Sequence, residues 1–436
     1  MFWLFIYRAL SLLFFIFAMP FIVFIGQLVA KWKESIPQKM GFIPDEFFIN
    51  NKRQNIWVHA VSFGEVKTIE PLIYELQKSF PLAQIWLSTG TKTGQDLAQK
   101  TFRNIRVFYC PFDFYFALNN WFSVIKPDLV LITETEIWPE ILLHCKQRKI
   151  PAFLINARLT DKSTRNYKFI YPIIKNALNC FTAIYAQSEN NKKRFMALGA
   201  KENNISVFPN LKFDSAFNLK QNIKPETINQ LKNSFGLESG NNNSKPKQIL
   251  IAGSTHSGEE DFIIDIFKNC LINESFDWHL ILAPRHLERL SEIETLCKNK
   301  NLNYSKTTEF NNKTLSSGSV LLLDTMGELG LYYTLANIAF IGGTWANIGG
   351  HNLLEAVIWN LPICIGQYNY KINDLTESLK ENNYPILQSS NLKEITDWIY
   401  ENLQNKNHNY VLLEPEKTIS QQIIKKISQS VLALQK

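Results

Sequence analysis

Glu65 is the first side chain whose type and position could do chemistry. It closes the segment HAVSFGE (59–65), where an apolar, strand-like run turns into a helical pattern. A carboxylate at the end of a strand can face a ligand and, as a general base, take a proton from a hydroxyl group. Ser62 and Glu65 also have the S-x-x-E spacing of a capping box, in which the glutamate only satisfies backbone donors. Spacing alone leaves both interpretations open.

Two further carboxylates follow the apolar segment DLVLI (128–132). Glu134 and Glu136 lie in TETEIWP (133–139). If this segment is extended, residues two positions apart point to different sides, so one carboxylate serves a site and the other the fold. Acidic residues are also common at helix starts, where the helix dipole favours them. The residue types leave the choice between Glu134 and Glu136 open.

Cationic side chains in the first half could bind an anionic ligand. Arg158 follows the next strand-like segment, and Arg165 comes soon after it. A guanidinium group binds phosphate or carboxylate through two parallel hydrogen bonds, although a solvated surface arginine is an equally good interpretation. Lys212, in NLKFD (210–214), could reach into a cleft, but a lone lysine indicates little by itself.

The second half contains a cation, an imidazole and a glycine-rich loop after its strand-like segments. Arg285 and His286 follow one such segment, and DTMGEL (324–329) follows another. The loop GGTW (342–345) leads into GGHNLLE (349–355). Glycine lets the backbone approach a ligand, amides at a helix start can hold a phosphate, and the final carboxylate could accept hydrogen bonds from ribose hydroxyls. The segment matches neither the dinucleotide fingerprint nor a Walker loop.

Apolar segments that alternate with helical patterns must position these side chains. Six segments of the first half read as buried parallel strands, at 56–61, 84–88, 106–110, 128–132, 151–155 and 182–187. A second series follows at 248–254, 278–284, 319–324, 338–343 and 361–366. The alternation predicts an α/β protein with two doubly wound, Rossmann-like domains that face a cleft, where ligands bind at the carboxyl ends of the strands.

Changes in composition set the predicted domain boundaries. The polar segment 214–247 contains an Asn run, Gly and Pro, and reads as a linker. We predict an anchor helix over 1–30, a first Rossmann-like domain over 31–213 and a second over 248–416. An amphipathic C-terminal helix is expected over 417–436.

The N-terminus predicts a membrane anchor. From Ala9 to Ala30 the chain carries no charged residue, which meets the length of about 20 apolar residues needed to cross a bilayer. Arg8 precedes this run, and Lys31 and Lys33 follow it, so the positive-inside rule places the remaining chain in the cytoplasm. A cleaved signal peptide is the alternative, but the run is too long and no A-x-A-like cleavage site follows. Whether the helix spans the bilayer or lies in its interface stays open.

Charge and cysteine usage exclude some classes of function. A formal net charge of +7 over 436 residues is too weak to indicate nucleic-acid binding, but suits an anionic membrane surface or a phosphorylated substrate. The cysteines are far apart and form no C-x-x-C motif: Cys110, Cys145, Cys180, Cys270, Cys297 and Cys364. This spacing argues against a disulfide framework or a zinc site, and favours a reducing cytosol.

Together these motifs resemble those of the 3-deoxy-D-manno-octulosonic acid (Kdo) transferases, which build the inner core of lipopolysaccharide. The similarity runs in order across nearly the whole chain after the N-terminal helix. It is carried by HAVSFGE (59–65), STGTKTG (88–94), LITETEIWPE (131–140), INARLTDKS (155–163), PNLKFD (209–214), AGSTHSGEE (252–260), APRH (283–286), DTMGELG (324–330) and FIGGTWANIGGHNLLEA (340–356).

The resemblance implies a GT-B fold and transfer of Kdo from CMP-Kdo to the lipid A precursor lipid IVA. The first domain would bind the acceptor and the second the CMP-sugar. By the same resemblance Glu65 is the catalytic base, and Glu134 and Lys212 stabilise the transition state. The positions that match CMP-binding residues of the family are Arg285, His286, Met326, Gly327, Glu328, Asn352, Leu353, Leu354 and Glu355.

Departures from the family pattern are few. Prolines that are usual near Leu353 and Ala356 are absent, Pro209 stands where glycine is expected, and Lys162 replaces a more usual arginine. These changes affect loop stiffness and anion contacts more than the catalytic assignment.

The expected reaction is a direct displacement at the anomeric carbon, with CMP as the leaving group. No cofactor or metal is expected, because CMP carries one phosphate and no D-x-D pair suits Mg²⁺. The expected partners are CMP-Kdo, the lipid A precursor and inner-membrane lipids, at the cytoplasmic face of the inner membrane, and no nucleic acid. The alternatives are another GT-B sugar-nucleotide enzyme of envelope synthesis and a membrane-anchored binding protein without turnover. The number of Kdo units, the acyl-chain preference and the oligomeric state do not follow from the sequence.

Overall fold

The computed structural model describes residues 6–17, 20, 35–48, 53–237, 245–310, 316–404 and 418–434. These residues form two units. The first comprises the described residues within Met1–Ser215 and Pro415–Lys436, and the second those within Ala216–Glu414.

The first unit is built on a seven-stranded parallel sheet with the order β3-β2-β1-β4-β5-β6-β7. The central strands β1, β4 and β5 are buried along their whole length, because helices cover both faces of such a sheet. The strands are β1 (Asn55–His59), β2 (Gln84–Thr89), β3 (Arg106–Tyr109), β4 (Leu129–Thr133), β5 (Ala152–Ala157), β6 (Ala183–Ala186) and β7 (Ile205–Val207).

Amphipathic helices connect these strands. In Glu70–Ser79, for example, Leu72, Ile73 and Leu76 fall on one helical face and are fully buried. The α-helices of the first unit are Ser35–Lys39, Phe63–Thr68, Glu70–Ser79, Lys92–Thr101, Tyr115–Ile125, Pro139–Gln147, Asp161–Phe169, Tyr171–Leu178, Glu189–Ala197 and Ile419–Leu434, with short 3-10 helices at Asp45–Phe47 and Glu202–Asn204.

The second unit repeats the architecture, with the strand order β10-β11-β9-β8-β12-β13-β14. Its first strand, β8, lies between β9 and β12, just as β1 lies between β2 and β4. The strands are β8 (Lys247–Thr255), β9 (Asp277–Pro284), β10 (Tyr304–Lys306), β11 (Val320–Leu322), β12 (Ile338–Ile341), β13 (Ile363–Ile365) and β14 (Ile386–Gln388). The α-helices are Pro225–Ser234, Glu259–Leu271, Leu290–Asn299, Leu329–Tyr332, Leu354–Val357, Asn373–Glu381 and Leu392–Gln404, with 3-10 helices at Leu287–Arg289 and Tyr333–Leu335.

The polar segment 214–247 is largely helical where the structure describes it. Lys212–Asn222 enters this segment and Pro225–Ser234 follows. Pro225 occupies the first helical turn, where its missing N–H and fixed φ suit a helix start. The Asn run at 241–243 lies outside the described residues, so the part of the predicted linker with the strongest coil signal is not described.

The helix Ile419–Leu434 belongs to the first unit and packs against Glu70–Ser79. Its start is held by Asp214, a fully buried carboxylate that accepts hydrogen bonds from Ile419 N at 2.8 Å and Ser420 N at 2.7 Å. The amides that a helix start leaves unpaired thereby find a charged acceptor.

Residues 6–17 form a helix that packs on the first unit. The ring of Phe15 lies 5.5 Å from that of Phe114 and 4.6 Å from that of Phe116, between ring centroids. Much of the predicted anchor over 1–30, at 1–5, 18–19 and 21–30, lies outside the described residues. Within the described ranges, no helix has both the length and the apolar character that crossing a membrane requires.

Candidate active site

Glu65 lies at the carboxyl edge of the first sheet, in the first turn of Phe63–Thr68. The capping box predicted by its spacing is present: Ser62 Oγ accepts from Glu65 N at 3.4 Å, and the carboxylate accepts from Ser62 N at 3.3 Å. Ser62 Oγ lies 2.9 Å from Oε1, and Val61 N donates to Oε2 at 3.0 Å. The carboxylate is 9% exposed, so it is held firmly at the sheet edge and still borders solvent.

Thr133, the last residue of β4, connects the neighbouring strand to Glu65. Its Oγ1 lies 3.0 Å from Glu65 Oε2 and also 3.0 Å from the backbone oxygen of His59. A hydroxyl group has one proton and can donate to only one of these oxygens at a time. Thr133 can therefore release Glu65 and keep a hydrogen bond.

His59 is a structural neighbour of this site. Its ring is buried and its Nδ1 lies 2.8 Å from Ser88 Oγ. Burial lowers the pKa of His59 to about 4, because the charged imidazolium is poorly solvated there. The ring is thus neutral at neutral pH and carries no ready proton for catalysis.

The two carboxylates after β4 have different environments. Glu134 is in the left-handed region, with φ of 56°, and its backbone N donates to Ile155 O at 2.9 Å. Glu136 is half-buried, and its burial raises the pKa of its carboxyl group to about 7, with the negative charges of Glu65 and Glu134 adding to the effect. The carboxyl group of Glu136 therefore titrates near neutral pH.

Lys212 follows β7 and its side chain is exposed. Its backbone is positioned by buried amides: Asn210 Oδ1 accepts from Lys212 N, and Asn156 Oδ1 accepts from Leu211 N, both at 3.0 Å. Gln187 joins these two amides, because its Nε2 donates to Asn156 O at 2.8 Å and its Oε1 accepts from Asn210 Nδ2 at 3.0 Å. This network ties the loop that carries Lys212 back to the end of β5.

The network leaves one donor unused, since Asn156 Nδ2 has no hydrogen-bond partner in the part of the chain that the structure describes. Of the two arginines noted in the sequence, Arg165 is exposed on Asp161–Phe169, and Arg158 lies half-buried after β5. The first sheet thus brings Glu65, Glu134 and Glu136 to two adjacent strand ends.

The predicted donor-binding residues lie at the carboxyl edge of the second sheet. Arg285 and His286 follow β9 and are exposed. The segment 326–328 follows β11 and is also exposed, with Gly327 at φ 86°. Asn352 Nδ2 donates to Glu355 Oε1 at 3.0 Å. Two of the predicted residues belong to the core, so only their backbone groups can meet a ligand: Leu353 and Leu354.

Two histidines that were not predicted as site residues face each other beside this group. His256 Nε2 and His351 Nε2 are 2.7 Å apart, with nearly parallel rings, so one imidazole donates to the other. Burial, together with the positive charge of His256, Arg285 and Lys371, lowers the pKa of His351 to about 4. An anion bound here would offset that positive charge, so the arrangement suits a phosphate or carboxylate group.

The buried carboxylate of Glu259 binds backbone amides of the glycine-rich loop and so fixes its conformation. This carboxylate is 1% exposed and accepts hydrogen bonds from Gly343 N at 2.8 Å, Trp345 N at 2.9 Å and Ala346 N at 3.0 Å. It also accepts from His256 N at 2.9 Å. The amides of Gly343, Trp345 and Ala346 are therefore already paired, and the first glycines of the loop serve a tight turn around a buried carboxylate. Gly342, for instance, has no room for a Cβ beside Ser254 O.

Comparison with known proteins identifies the family. The N-terminal domain of the 3-deoxy-D-manno-octulosonic-acid transferases (kdotransferases) matches residues 34–215. The 3-deoxy-D-manno-octulosonic acid transferase of Haemophilus influenzae is 30% identical over 386 residues, which cover 87% of this chain and 86% of that protein. This chain belongs to the 3-deoxy-D-manno-octulosonic acid transferase family. The predicted resemblance is confirmed.

Two further relatives bear on length and fold. The bifunctional glycosyltransferase/methyltransferase of Fusobacterium nucleatum is 33% identical over 329 residues, which cover 74% of this chain and 49% of that protein, so the chain spans about half of that relative. The structure of UDP-GlcNAc 2-epimerase from Neisseria meningitidis, bound to UDP-GlcNAc, superimposes with a TM-score of 0.53 at 14% identity, over 87% of this chain and 100% of that one. The Kdo transferase family member thus has two parallel-sheet α/β domains of GT-B-like type, as predicted.

Sequence reasoning missed several residues of this Kdo transferase family member. Glu259 lies in a motif that was used only for the resemblance, although a carboxylate one turn into a helix after a strand is the same signal that singled out Glu65. Gln187 ends the predicted strand at 182–187, and a polar amide after an apolar run is a signal of the same kind. His256 carried no pattern of its own, because its partner His351 is 95 residues away.

Proposed function

We propose that this chain transfers Kdo from CMP-Kdo to the lipid A precursor lipid IVA, with Glu65 as the general base. The observation that carries the proposal is the arrangement of Glu65 in a Kdo transferase family member. The carboxylate lies at a strand end, borders solvent, and has a hydroxyl partner in Thr133 that can turn to His59 O.

The proposed step is a single displacement. The acceptor hydroxyl loses its proton to Glu65 as its oxygen forms a bond to the anomeric carbon of Kdo. The bond from that carbon to the phosphate oxygen breaks, and the electron pair leaves with CMP. A base held at hydrogen-bonding distance in a fixed orientation contributes typically about 10²–10⁴-fold to such a rate.

Glu134 and Lys212 are proposed to stabilise the transition state. Glu134 shares its loop with Glu136, next to Glu65, and its left-handed φ fixes the course of that loop. The ammonium group of Lys212 can interact with negative charge on the sugar or the leaving group. The amide network around Asn210 supports this role because it holds the Lys212 backbone while the side chain stays exposed.

The second unit is proposed to bind CMP-Kdo. Arg285 and His286 provide positive charge and donors for the phosphate, and Met326, Gly327 and Glu328 form an exposed segment for the nucleotide. Since Glu259 occupies the amides of Gly343 and Trp345, these side chains are proposed to carry the phosphate contacts. Asn352 and Glu355 are proposed to meet the ribose, with the backbone of Leu353 and Leu354 beside them.

The proposed location is the cytoplasmic face of the inner membrane, where the lipid acceptor lies. The apolar N-terminal run and the net charge of +7 support attachment to an anionic bilayer. The scheme has no step that requires a metal ion or a cofactor, because the leaving group carries a single phosphate.

The test is transfer by the full chain in detergent micelles from CMP-Kdo to lipid IVA, read by mass spectrometry, with and without EDTA. We expect a product heavier than lipid IVA by one or more Kdo units in both arms, and its mass counts the sugars. UDP-sugars serve as control donors and should give no product. A folded, CMP-binding protein that makes no Kdo product would contradict the substrate assignment.

A further inference from the structure

Arg8 joins the helix 6–17 to the rest of the first unit through an ion pair with a buried carboxylate. Its Nε donates to Glu140 Oε2 at 3.0 Å, and a terminal nitrogen donates to Glu140 Oε1 at 2.5 Å. The Glu140 side chain is fully buried, and the guanidinium group also lies over the ring of Tyr115 at 4.7 Å. Such a two-point contact fixes orientation as well as distance. The sequence had suggested only a charge flanking an anchor.

Tyr7 makes a second connection at the same place. Its hydroxyl donates to Asp113 Oδ2 at 2.6 Å. Asp113, itself buried, accepts from Glu140 N at 2.9 Å and from Ile141 N at 3.0 Å. Asp113, which lies in a distant loop, thus caps the start of Pro139–Gln147. Tyr7 binds Asp113, and Arg8 binds Glu140 in the first turn of this helix.

These contacts fix the start of Pro139–Gln147. The helix directly follows a segment that we call the acidic loop, residues 134–138. The other end of that loop is Thr133, which contacts Glu65. The acidic loop carries Glu134 and Glu136 and is only five residues long, so its shape depends on where its two ends are fixed. A shift of the helix start by about 1 Å would move the loop by a comparable amount, which is enough to cost about 100-fold in a positioned reaction.

The outward side of helix 6–17 is apolar. Leu13 is 52% exposed and Phe17 is 78% exposed, whereas Phe15 packs inward against aromatic rings of the unit. The helix therefore has one side bound to the unit, close to the acidic loop, and one side suited to lipid.

We propose that helix 6–17 is a positioning element of the active site: through Arg8–Glu140 and Tyr7–Asp113 it fixes the start of Pro139–Gln147, and so couples its own placement to the shape of the acidic loop. The proposal rests on the proposed function, since it gives the acidic loop a role in Kdo transfer. Arg8 and Tyr7 act through Glu140 and Asp113 and are positioning residues.

The first test compares Arg8→Lys with Leu13→Ser in the full chain. Arg8→Lys keeps the positive charge but loses the two parallel hydrogen bonds. We expect its kcat for Kdo transfer in detergent micelles to fall about 10- to 100-fold, with vesicle co-sedimentation and CMP affinity unchanged. Leu13→Ser should do the opposite, weakening co-sedimentation with anionic vesicles and leaving kcat in micelles at the wild-type value. An unchanged kcat for Arg8→Lys would overturn the proposal.

The double variant Arg8→Gln/Glu140→Gln, measured beside its two single variants, tests whether the two residues act through one contact. It removes both charges together, so no buried charge is left alone. If the two residues act through one contact, the loss of kcat in the double variant is smaller than the product of the single losses. Multiplicative losses would mean independent roles and would contradict the coupling.

Hydrogen–deuterium exchange separates this proposal from the proposed function. In Arg8→Lys we expect faster exchange of the amides at 134–141 and unchanged exchange in 248–271. This result does not depend on the reaction. Faster exchange in a protein whose wild type makes no Kdo product would retain the coupling and refute the function, whereas unchanged exchange would refute the coupling.

Discussion

The two units place a glutamate at the same position in their sheets. Glu65 follows β1 and contacts Thr133 at the end of β4. Glu259 follows β8 and contacts Gly343 after β12. Since β4 neighbours β1 and β12 neighbours β8, each glutamate connects the ends of two adjacent strands near the middle of a sheet.

The difference between the two glutamates lies in their donors. Two of the groups around Glu65 are hydroxyls, from Ser62 and Thr133, whereas the four donors to Glu259 are all backbone amides. A hydroxyl group can rotate to another acceptor, while an amide can leave only if the chain moves. The exposed fractions agree, at 9% for Glu65 and 1% for Glu259.

This difference teaches how one local motif serves two purposes. A carboxylate held by hydroxyls can exchange one of them for a substrate hydroxyl, so it can act on a proton. A carboxylate held by amides stabilises the loop that donates them. The donor types around each glutamate, and not its position along the chain, separate the proposed base from the loop-organising residue.

The largest expected effect is on turnover in Glu65→Gln. The amide group cannot take the proton of the acceptor hydroxyl, so kcat should fall by about 10²–10⁴-fold, with CMP affinity unchanged. The measurement is the rate of Kdo transfer together with CMP titration calorimetry. Glu189→Gln is the matched control, because Glu189 also begins a helix after a strand but is exposed. Near-normal turnover in Glu65→Gln would leave Glu65 only its capping role.

The next effect is on the second unit in Glu259→Gln. One carboxylate oxygen becomes an NH₂ group that faces backbone N–H donors, and hydrogen bonds to a charged group contribute about 1.5–3 kcal/mol each. We expect a free energy of unfolding lower by about 3 kcal/mol and CMP affinity weaker by about tenfold or more. Calorimetry measures both quantities.

Asp261→Asn is the control for this comparison. Asp261 lies in the same first helical turn and is half exposed, and its partner Lys300 keeps a second contact with Asp265. Its substitution removes one negative charge without touching the loop. Equal effects of Glu259→Gln and Asp261→Asn would mean that the charge matters and the loop contacts do not.

A smaller effect on turnover is expected in Thr133→Val. The variant removes the hydroxyl that orients Glu65, and a net hydrogen bond contributes about 0.5–1.5 kcal/mol, or roughly 2- to 13-fold in rate. Thr133→Ser keeps the hydroxyl and should retain most of the turnover. If Thr133→Val behaved like Glu65→Gln, the threonine would be more than an orienting partner.

The smallest expected effect is a pH dependence of stability that comes from Glu136. The negative charge of Glu65 adds to the effect of burial in raising the pKa of this carboxyl group. Its folded pKa of about 7 lies above the ordinary value of 4.5, so its contribution to stability is complete below 4.5 and is lost as pH rises through 7. We expect Glu136→Gln to match the wild type in Tm near pH 4.5 and to exceed it by a few degrees near pH 8. A pH-independent difference in Tm would contradict the raised pKa.

Glu65 could be predicted because a hydrogen-bond partner lies close to it in the sequence. Glu259 could not, because the loop amides that it binds are distant in the sequence. The Ser62 contact is three residues from Glu65, within the reach of a spacing rule. The loop amides that Glu259 binds are 84 to 87 residues away, and nothing in the sequence marks them as its partners. For the same reason the residue types alone left the choice between Glu134 and Glu136 open, and both side chains are half-buried in the acidic loop.

The strands show the same limit. All the longer apolar runs predicted as strands are strands, because their pattern and length are sufficient signals. Three further strands were not predicted: β7, β10 and β14 have three residues each and lie at sheet edges. Such short segments are set by pairing with a neighbour and not by their own periodicity.

The cap at Asp214 has a consequence for synthesis on the ribosome. Asp214 and its partner Ile419 are 205 positions apart, and the whole second unit is translated between them. At about 5–20 residues per second, this delay is roughly 10–40 s. During that time the nascent first unit lacks the helix Ile419–Leu434, and the carboxylate of Asp214 lacks the amides that it binds in the complete unit. The second unit, in contrast, is contiguous in the chain and can fold as soon as it emerges, so the unit that begins first is the one completed last.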